Sequence, residues 1–264
     1  MQPSDSQIIL VTPPDRTRAA SSYGLPLAHM AYRIGNGPHL YRANSPAPPK
    51  GGLMLIGNDG FDGQGDAAQF CKEVLREMTA RGLGGIVFDV ETAPTETISG
   101  IVRILGEQMK KRGLSFYLPE CYGNYSDFAR ILIPSSLSGG SLQERLEEAI
   151  ARYGAGRVCL GLERQAEDFQ LPSPKGAGVP ISLAELEEKR RQLQPSVFFS
   201  RELCTHYFTY MNNSAGHFIL FDDAGSLQQK KQLAESLGIR WFFLHFNQTE
   251  DLLPMLLGGQ PPSV

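Results

Sequence analysis

GGIVFDVE (residues 84–91) is a short apolar run that stops at an aspartate and a glutamate. It is rich in β-branched and aromatic residues, which favours a strand. Apolar runs of similar length recur at residues 52–57, 114–120, 129–134, 157–163 and 239–246. Apolar residues at helical spacing lie between the runs, at residues 66–81, 95–112, 141–153 and 225–237. Buried strands that alternate with helices indicate a parallel sheet whose faces are covered by helices.

Both a closed barrel and an open doubly wound sheet would satisfy this alternation. No G-x-G-x-x-G or Walker-type glycine motif follows any predicted strand, which weakens the nucleotide-binding open sheet. The chain has 264 residues, a length that one α/β barrel commonly needs. We therefore predict an α/β fold of the (β/α)8 TIM-like barrel type, in a single domain over residues 1–264.

Two regions break the strand and helix rhythm. Residues 12–50 are rich in Pro, Gly and Ser and show no clear periodicity, and 83 residues precede the strand that carries the carboxylates. Three full βα units would be a tight fit there, so we expect a barrel abridged on its N-terminal side. Residues 164–222 are predicted to be an insertion, because two aromatic runs flank a polar turn within residues 205–222 and indicate a β-hairpin.

Composition narrows the classes of function. The formal net charge of −3 leaves no basic surface for nucleic acid. The four cysteines include no C-x-x-C pair, so neither zinc nor dithiol chemistry is supported, and no cofactor or metal is expected. No segment approaches the roughly 18 apolar residues of a membrane span, and the N-terminus lacks the basic region of a signal peptide. The sequence as given is expected to be cytoplasmic, or a module of a larger protein.

Polar residues stand where the predicted strands end, and barrel active sites lie at that end. They are Asp89, Glu91, Glu120, Glu163 and His245. We expect these side chains to converge on one face of the barrel. Charged residues also end strands for solubility alone, and a single histidine is often a hydrogen-bonded core residue, so both interpretations stay open for Glu120, Glu163 and His245.

Asp89 and Glu91 form the sharpest feature of the sequence. At the two-residue period of a strand they point to the same side, roughly 7 Å apart along the chain. Burial in an apolar strand raises the pKa of a carboxyl group and can keep it protonated as a general acid. The alternative is that Asp89 accepts backbone hydrogen bonds in a loop while Glu91 is simply exposed.

The sequence resembles the family 18 glycoside hydrolases, in particular the spore-associated bacterial enzymes that cut N-acetylglucosamine linkages in peptidoglycan. GGIVFDVE (84–91) is similar to the family motif D-x-x-D-x-D-x-E on the fourth barrel strand. HYFTY…HFILFDD (206–223) is similar to the family hairpin, and AGSLQQKKQLAESLGIRW (224–241) to its last helix. RVCLGLE (157–163) is similar to the strand that family members write as K-x-x-L-G-x-P.

The resemblance implies a barrel that acts on a polysaccharide or oligosaccharide containing N-acetylglucosamine, such as peptidoglycan or chitin. By position, Glu91 matches the proton donor and Asp89 matches the aspartate that orients the acetamido group of the substrate. In that mechanism the acetamido oxygen attacks the anomeric carbon, in place of an enzyme carboxylate. Substrate-binding roles are then expected for Glu120, Glu163, His245 and Tyr122, and spore association is one expected setting.

The sequence also departs from the family pattern. Gly84 and Val87 replace the first two aspartates of the motif, and ILIPSS (131–136) stands where the family usually has M-x-Y-D. His245 falls at the position where the family has a tryptophan that forms the floor of the sugar-binding subsite. The tyrosine that holds the acetamido carbonyl is therefore missing.

Three hypotheses follow from these observations. The first is an active retaining hydrolase of N-acetylhexosamine polymers, favoured by the retained Asp89 and Glu91. The second is a non-catalytic carbohydrate-binding or structural relative, favoured by the missing tyrosine and tryptophan. The third is a metal-dependent hydrolase that uses Glu120, Glu163 and His245. No metal-binding spacing motif in the sequence supports this third hypothesis.

Overall fold

A closed barrel of eight parallel strands forms the centre of the molecule. A computed structural model describes residues 6–45, 48–172, 177–212 and 214–258. In chain order its strands are β1 (Gln7–Thr12), β2 (Leu27–Gly35), β3 (His39–Arg42), β4 (Leu53–Asn58), β5 (Gly85–Asp89), β6 (Ser115–Pro119), β7 (Arg130–Pro134), β8 (Val158–Gly161), β9 (Ala166–Leu171), β10 (Val179–Pro180), β11 (Phe198–Ser200), β12 (Thr205–Asn212), β13 (Ala215–Phe221) and β14 (Trp241–His245). Strands β1, β2, β4, β5, β6, β7, β8 and β14 follow one another around the barrel, and β14 closes it by pairing with β1. The predicted (β/α)8 barrel is confirmed.

Strand alternation divides the core into two layers. Ile9, Val11, Leu55 and Val87 belong to a cluster inside the barrel. Their sequence neighbours on the same strands point the other way and pack against the helices, because successive strand residues face opposite sides. Most residues of the barrel strands are therefore buried, which accounts for the continuous apolar runs of the sequence.

The helices are α1 (Thr17–Ser21), α2 (Ala67–Arg81), α3 (Glu96–Arg112), α4 (Leu142–Tyr153), α5 (Leu183–Leu193), α6 (Ala224–Ser236), α7 (Phe246–Thr249) and α8 (Leu253–Leu256). The Asp66 side chain caps the start of α2 by accepting from two backbone N–H groups, and Gly82 ends the helix at a φ of 63°. This left-handed conformation suits glycine, which lacks a β-carbon. Within the described ranges, no helix is both long enough and apolar enough to cross a membrane.

The front of the barrel is abridged, as the sequence indicated. Between β1 and β2 the longest helix is α1, which has five residues. Between β2 and β4 the described residues form the antiparallel strand β3 in place of a helix. Sequence periodicity did not reveal β1 or β2, because the connections beside them lack the amphipathic helices that mark the later strands.

A second, antiparallel sheet lies between β8 and α6 in the chain, with strand order β10, β9, β13, β12, β11. The predicted hairpin is confirmed, since β12 pairs with β13 from His206 opposite Phe221 to Asn212 opposite Ala215. Helix α5 covers one face of this sheet, where Leu186 packs with Phe208, Ile219 and Phe221. The second sheet is thus an excursion from the barrel and contributes none of its parallel strands.

A buried ion pair joins the end of the second sheet to helix α6. Lys230 Nζ lies 2.7 Å from Asp222 Oδ2, and both side chains are fully buried. Thr205 and Ser226 donate their hydroxyl hydrogens to the other oxygen of Asp222, at 2.9 and 2.7 Å. The Gln165 backbone N–H donates to Oδ2 at 3.1 Å. Such a fully hydrogen-bonded set is needed before a buried charge pair is tolerated.

We predict that Lys230→Met lowers the free energy of unfolding by about 3–5 kcal/mol, because it leaves the Asp222 carboxylate buried without its cation. Urea unfolding followed by circular dichroism would measure this loss.

Lys111→Met on α3 is the control. Lys111 pairs with Glu107 at the exposed surface, so its loss is expected to cost about 0–1 kcal/mol. Equal losses in the two variants would contradict the importance of the buried pair.

Candidate active site

The inner face of the barrel becomes polar at its mouth, which is the end of the barrel where the carboxyl ends of the parallel strands lie. Asp89 follows Val87 on the inward side of β5, and His245 follows Phe243 on the inward side of β14. Glu91 and Glu163 lie just beyond the ends of β5 and β8. Asp89, Glu91 and Glu163 line one small cavity, with a volume of ≈ 30 Å³, between the walls of the mouth.

The Asp89 carboxyl group is half-buried in this cavity. Burial raises its pKa above the ordinary value, and the nearby His245 opposes that rise. No side chain in the described part of the sequence donates a hydrogen bond to Asp89 or forms an ion pair with it. No side chain among the described residues therefore pairs with the Asp89 carboxylate.

Glu91 is more exposed than Asp89, and its pKa is also raised above the ordinary value. Burial raises the pKa of Glu91, and the negative charges of Asp89 and Glu163 raise it further. This arrangement favours a protonated Glu91 carboxyl, which is the state that a general acid needs.

Glu163 completes a group of three carboxylates. The Ser136 hydroxyl donates a hydrogen bond to Glu163, and the Glu163 backbone N–H donates to Ser135 Oγ at 3.2 Å. Burial raises the pKa of Glu163, whereas the Ser136 hydrogen bond and the charge of Lys230 lower it, and the net shift is upward. Glu163 is thus held in one orientation toward the mouth without a direct cationic partner among the described residues.

His245 lies at the end of β14, which pairs with β8, the strand that leads to Glu163. Burial lowers the pKa of His245, and the charge of Asp89 raises it by less. The ring is therefore neutral near pH 7, with one nitrogen that donates a hydrogen bond and one that accepts.

Glu120 and Tyr122 lie apart from the three carboxylates. Glu120 forms an ion pair with Arg145 of α4. Tyr122 is buried, and its hydroxyl donates to the backbone carbonyl of Thr92 at 2.6 Å. Because Thr92 is adjacent to Glu91 in the chain, Tyr122 holds the segment that carries Glu91.

A larger cleft of ≈ 400 Å³ adjoins the three carboxylates and shares Glu163 with the small cavity. The barrel and the start of α5 both contribute to it. Its lining residues are Ser136, Glu163, Arg164, Gln165, Ala166, Glu167, Pro180, Ile181, Ser182, Leu183, His245, Asn247 and Gln248.

Sequence reasoning had not singled out Arg164, Gln165 and Glu167. Their position directly after the end of β8 could have indicated them, since the same rule selected Glu163. The contribution of residues 180–183 had no comparable signal. Among the described residues, no group of three His, Cys, Asp or Glu side chains is arranged to hold a metal ion.

Solved structures share this fold at low sequence identity. The Bacillus cereus spore cortex-lytic enzyme SleL has a TM-score of 0.72 and 16% identity, over 98% of this chain and 75% of that chain. A chitinase from Chromobacterium violaceum has a TM-score of 0.71 and 14% identity, over 96% of this chain and 98% of that chain. A class V chitinase from Nicotiana tobaccum has a TM-score of 0.66 and 10% identity, over 97% and 100%.

No protein-family model and no curated protein matches the sequence. At identities this low the structural likeness concerns the fold. It confirms the barrel that the resemblance of the sequence implied.

We predict that Asp89→Asn raises the free energy of unfolding at neutral pH. The raised pKa of Asp89 means that its ionised form is disfavoured in the folded state. The stabilising contribution of the protonated carboxyl is complete below the unfolded pKa of about 3.9, and it is lost as the pH rises through the folded pKa.

Chemical unfolding across pH would test this dependence, with Asp127→Asn as a control because Asp127 is exposed and pairs with Lys110 at the surface. The advantage of Asp89→Asn should shrink toward zero below about pH 4. A constant difference across the pH range, or equal behaviour of the two variants, would contradict an unbalanced charge at Asp89.

Proposed function

We propose that this protein is a retaining glycoside hydrolase that cleaves polysaccharide chains containing N-acetylglucosamine by a substrate-assisted mechanism. One observation carries the proposal: Asp89 and Glu91 line the same cavity at the mouth of the barrel, on its fourth strand, without a cationic partner among the described residues. Peptidoglycan and chitin are the substrates that we favour. The spore wall is a suitable setting, given the fold shared with SleL.

Glu91 would supply the proton that the leaving oxygen needs. The raised pKa of Glu91 keeps this carboxyl protonated at a higher pH than an ordinary glutamate. Once it has lost the proton, the same carboxylate can accept one from the water that completes hydrolysis. The cost of ionising Glu91 beside two other carboxylates thus favours proton uptake after each transfer.

Asp89 would orient the acetamido group and balance the positive charge that develops as its oxygen attacks the anomeric carbon. The Asp89 side chain is suited to this role because no other group in the described part of the chain neutralises it. An acetamido N–H could donate a hydrogen bond to Asp89, and the attraction would strengthen in the transition state as charge develops.

His245 is the best candidate to hold the acetamido carbonyl in place of the missing tyrosine. Tyr122 already donates its hydroxyl hydrogen to Thr92. Tyr117 is buried deeper, and its ring meets that of Phe243 at a centroid distance of 4.9 Å. His245 instead lines the cleft as a neutral ring with one N–H available for donation.

A non-catalytic carbohydrate-binding protein is the second candidate. It is favoured by the size of the cavity beside Glu91, which is ≈ 30 Å³ and therefore much smaller than the adjoining cleft of ≈ 400 Å³. In that case the sugar would occupy the cleft, and the carboxylates would bind without chemistry.

We predict that Glu91→Gln lowers the rate of hydrolysis of an N-acetylglucosamine oligomer by roughly 10²–10⁴-fold, because the amide keeps the shape of the side chain but supplies no acidic proton. Product release followed by chromatography would measure the rate, and thermal unfolding would show that the fold is intact.

Glu107→Gln serves as the control, since Glu107 is an exposed residue of α3 and its loss should leave the rate unchanged. Binding of the oligomer by wild-type protein without any turnover would favour the non-catalytic candidate. Neither binding nor turnover would contradict both.

A further inference from the structure

Two acidic side chains line the cleft beside the three carboxylates. Glu163 and Glu167 both line it, and neither forms an ion pair among the described residues. Arg164 is a cationic residue of the lining, but its NH1 donates to both carboxylate oxygens of Asp251, at 2.8 and 3.0 Å. The positive charge of Arg164 is therefore already balanced, and the cleft keeps a negative charge.

Gln165 adds a neutral acceptor to the same wall. Its side chain is 5% exposed, and Oε1 has no hydrogen-bond donor in the described part of the structure. The amide orientation is set by Nε2, which donates to the Leu137 carbonyl at 3.3 Å. A buried amide oxygen without a donor carries a desolvation cost, and Gln165 is one of the residues that line the cleft.

We propose that this cleft binds a de-N-acetylated amino sugar through its ammonium group, in the subsite next to the one that holds the N-acetylated unit. The inference rests on the proposed function, because the unit beside Glu91 must keep its acetamido group for substrate-assisted chemistry. The preferred substrate is then a partly deacetylated N-acetylglucosamine polymer.

An ammonium group fits the cleft better than its alternatives. It carries a positive charge and three N–H donors, so it can pair with carboxylates such as Glu163 and Glu167 and still donate a hydrogen bond to a neutral acceptor. A neutral acetamide has one N–H donor and no positive charge, so it cannot offset the repulsion between the Glu163 and Glu167 carboxylates. A bare metal ion would need a set of close ligands, and the described residues provide none.

Glu163 is the residue on which this specificity depends most. It lines both the cleft and the cavity of Asp89 and Glu91. The Ser136 hydroxyl fixes its orientation. The negative charge of Glu167 raises the pKa of Glu163, so the two carboxylates repel each other. A cation bound between them would reduce this repulsion.

The test is the binding of two tetramers that differ in one group, using protein that carries Glu91→Gln so that nothing is cleaved. One is fully N-acetylated, and the other has a single free amine next to an acetylated unit. Isothermal titration calorimetry at mildly acidic pH should show roughly tenfold tighter binding of the amine-bearing tetramer. Adding Glu163→Gln or Glu167→Gln should remove most of that preference, whereas adding Glu107→Gln should retain it.

Equal binding of the two tetramers, or a preference that survives Glu163→Gln and Glu167→Gln, would overturn the inference. Turnover by wild-type protein separates this result from the proposed function. Cleavage of acetylated oligomers without an amine preference overturns only the present inference. An amine preference in binding without any cleavage supports the inference and overturns the hydrolase.

Discussion

Closure of the barrel by β14 is the constraint on which the rest of the structure depends. β14 lies between β1 and β8, and it pairs in parallel with β1 from Gln7 opposite Trp241 to Val11 opposite His245. The first and last strands of the fold are thereby fixed in one register. Because all eight strands run in the same direction, their carboxyl ends must open at the same mouth. Asp89, Glu163 and His245 come from strands far apart in the chain, and the pairing of β14 with β8 together with closure of the barrel brings them to the same mouth.

The same geometry sets the electrostatic character of the mouth. The apolar interior desolvates carboxyl groups at the ends of the strands, and no direct cationic partner relieves Asp89, Glu91 or Glu163 among the described residues. Each of the three pKa values is raised for this reason. Ionising a carboxyl group whose pKa is raised in the folded state opposes folding. The fold thus accepts a loss of stability at the place where proton transfer and charge balancing would be useful, a common property of active sites.

The second sheet depends on the barrel in a different way. Its last strand leads into α6 through Asp222, whose carboxylate is held by Lys230, Thr205, Ser226 and the Gln165 backbone. This network fixes both ends of the excursion, because Gln165 lies at its start and Asp222 at its end. The start of α5 is consequently held beside the barrel mouth, where residues 180–183 form one wall of the cleft. A buried ion pair outside the mouth therefore helps to shape it.

The sequence by itself determined the local elements and the most informative pair of residues. Continuous apolar runs predicted β4 to β8 and β14, and helical spacing predicted α2, α3, α4 and α6, because burial on both faces of a strand and on one face of a helix leaves a direct imprint on residue order. The two-residue spacing of Asp89 and Glu91 marked the mouth in the same local way. Only the tertiary structure decided that β1 and β2 complete the front of the barrel, since no amphipathic helix follows them to mark their role. It also decided between residues with the same local signal: Glu120 ends a strand as Glu163 does, yet Arg145 binds Glu120, whereas Glu163 joins Glu91 across the mouth. Such differences depend on side chains brought together from distant parts of the chain, which residue order alone does not reveal.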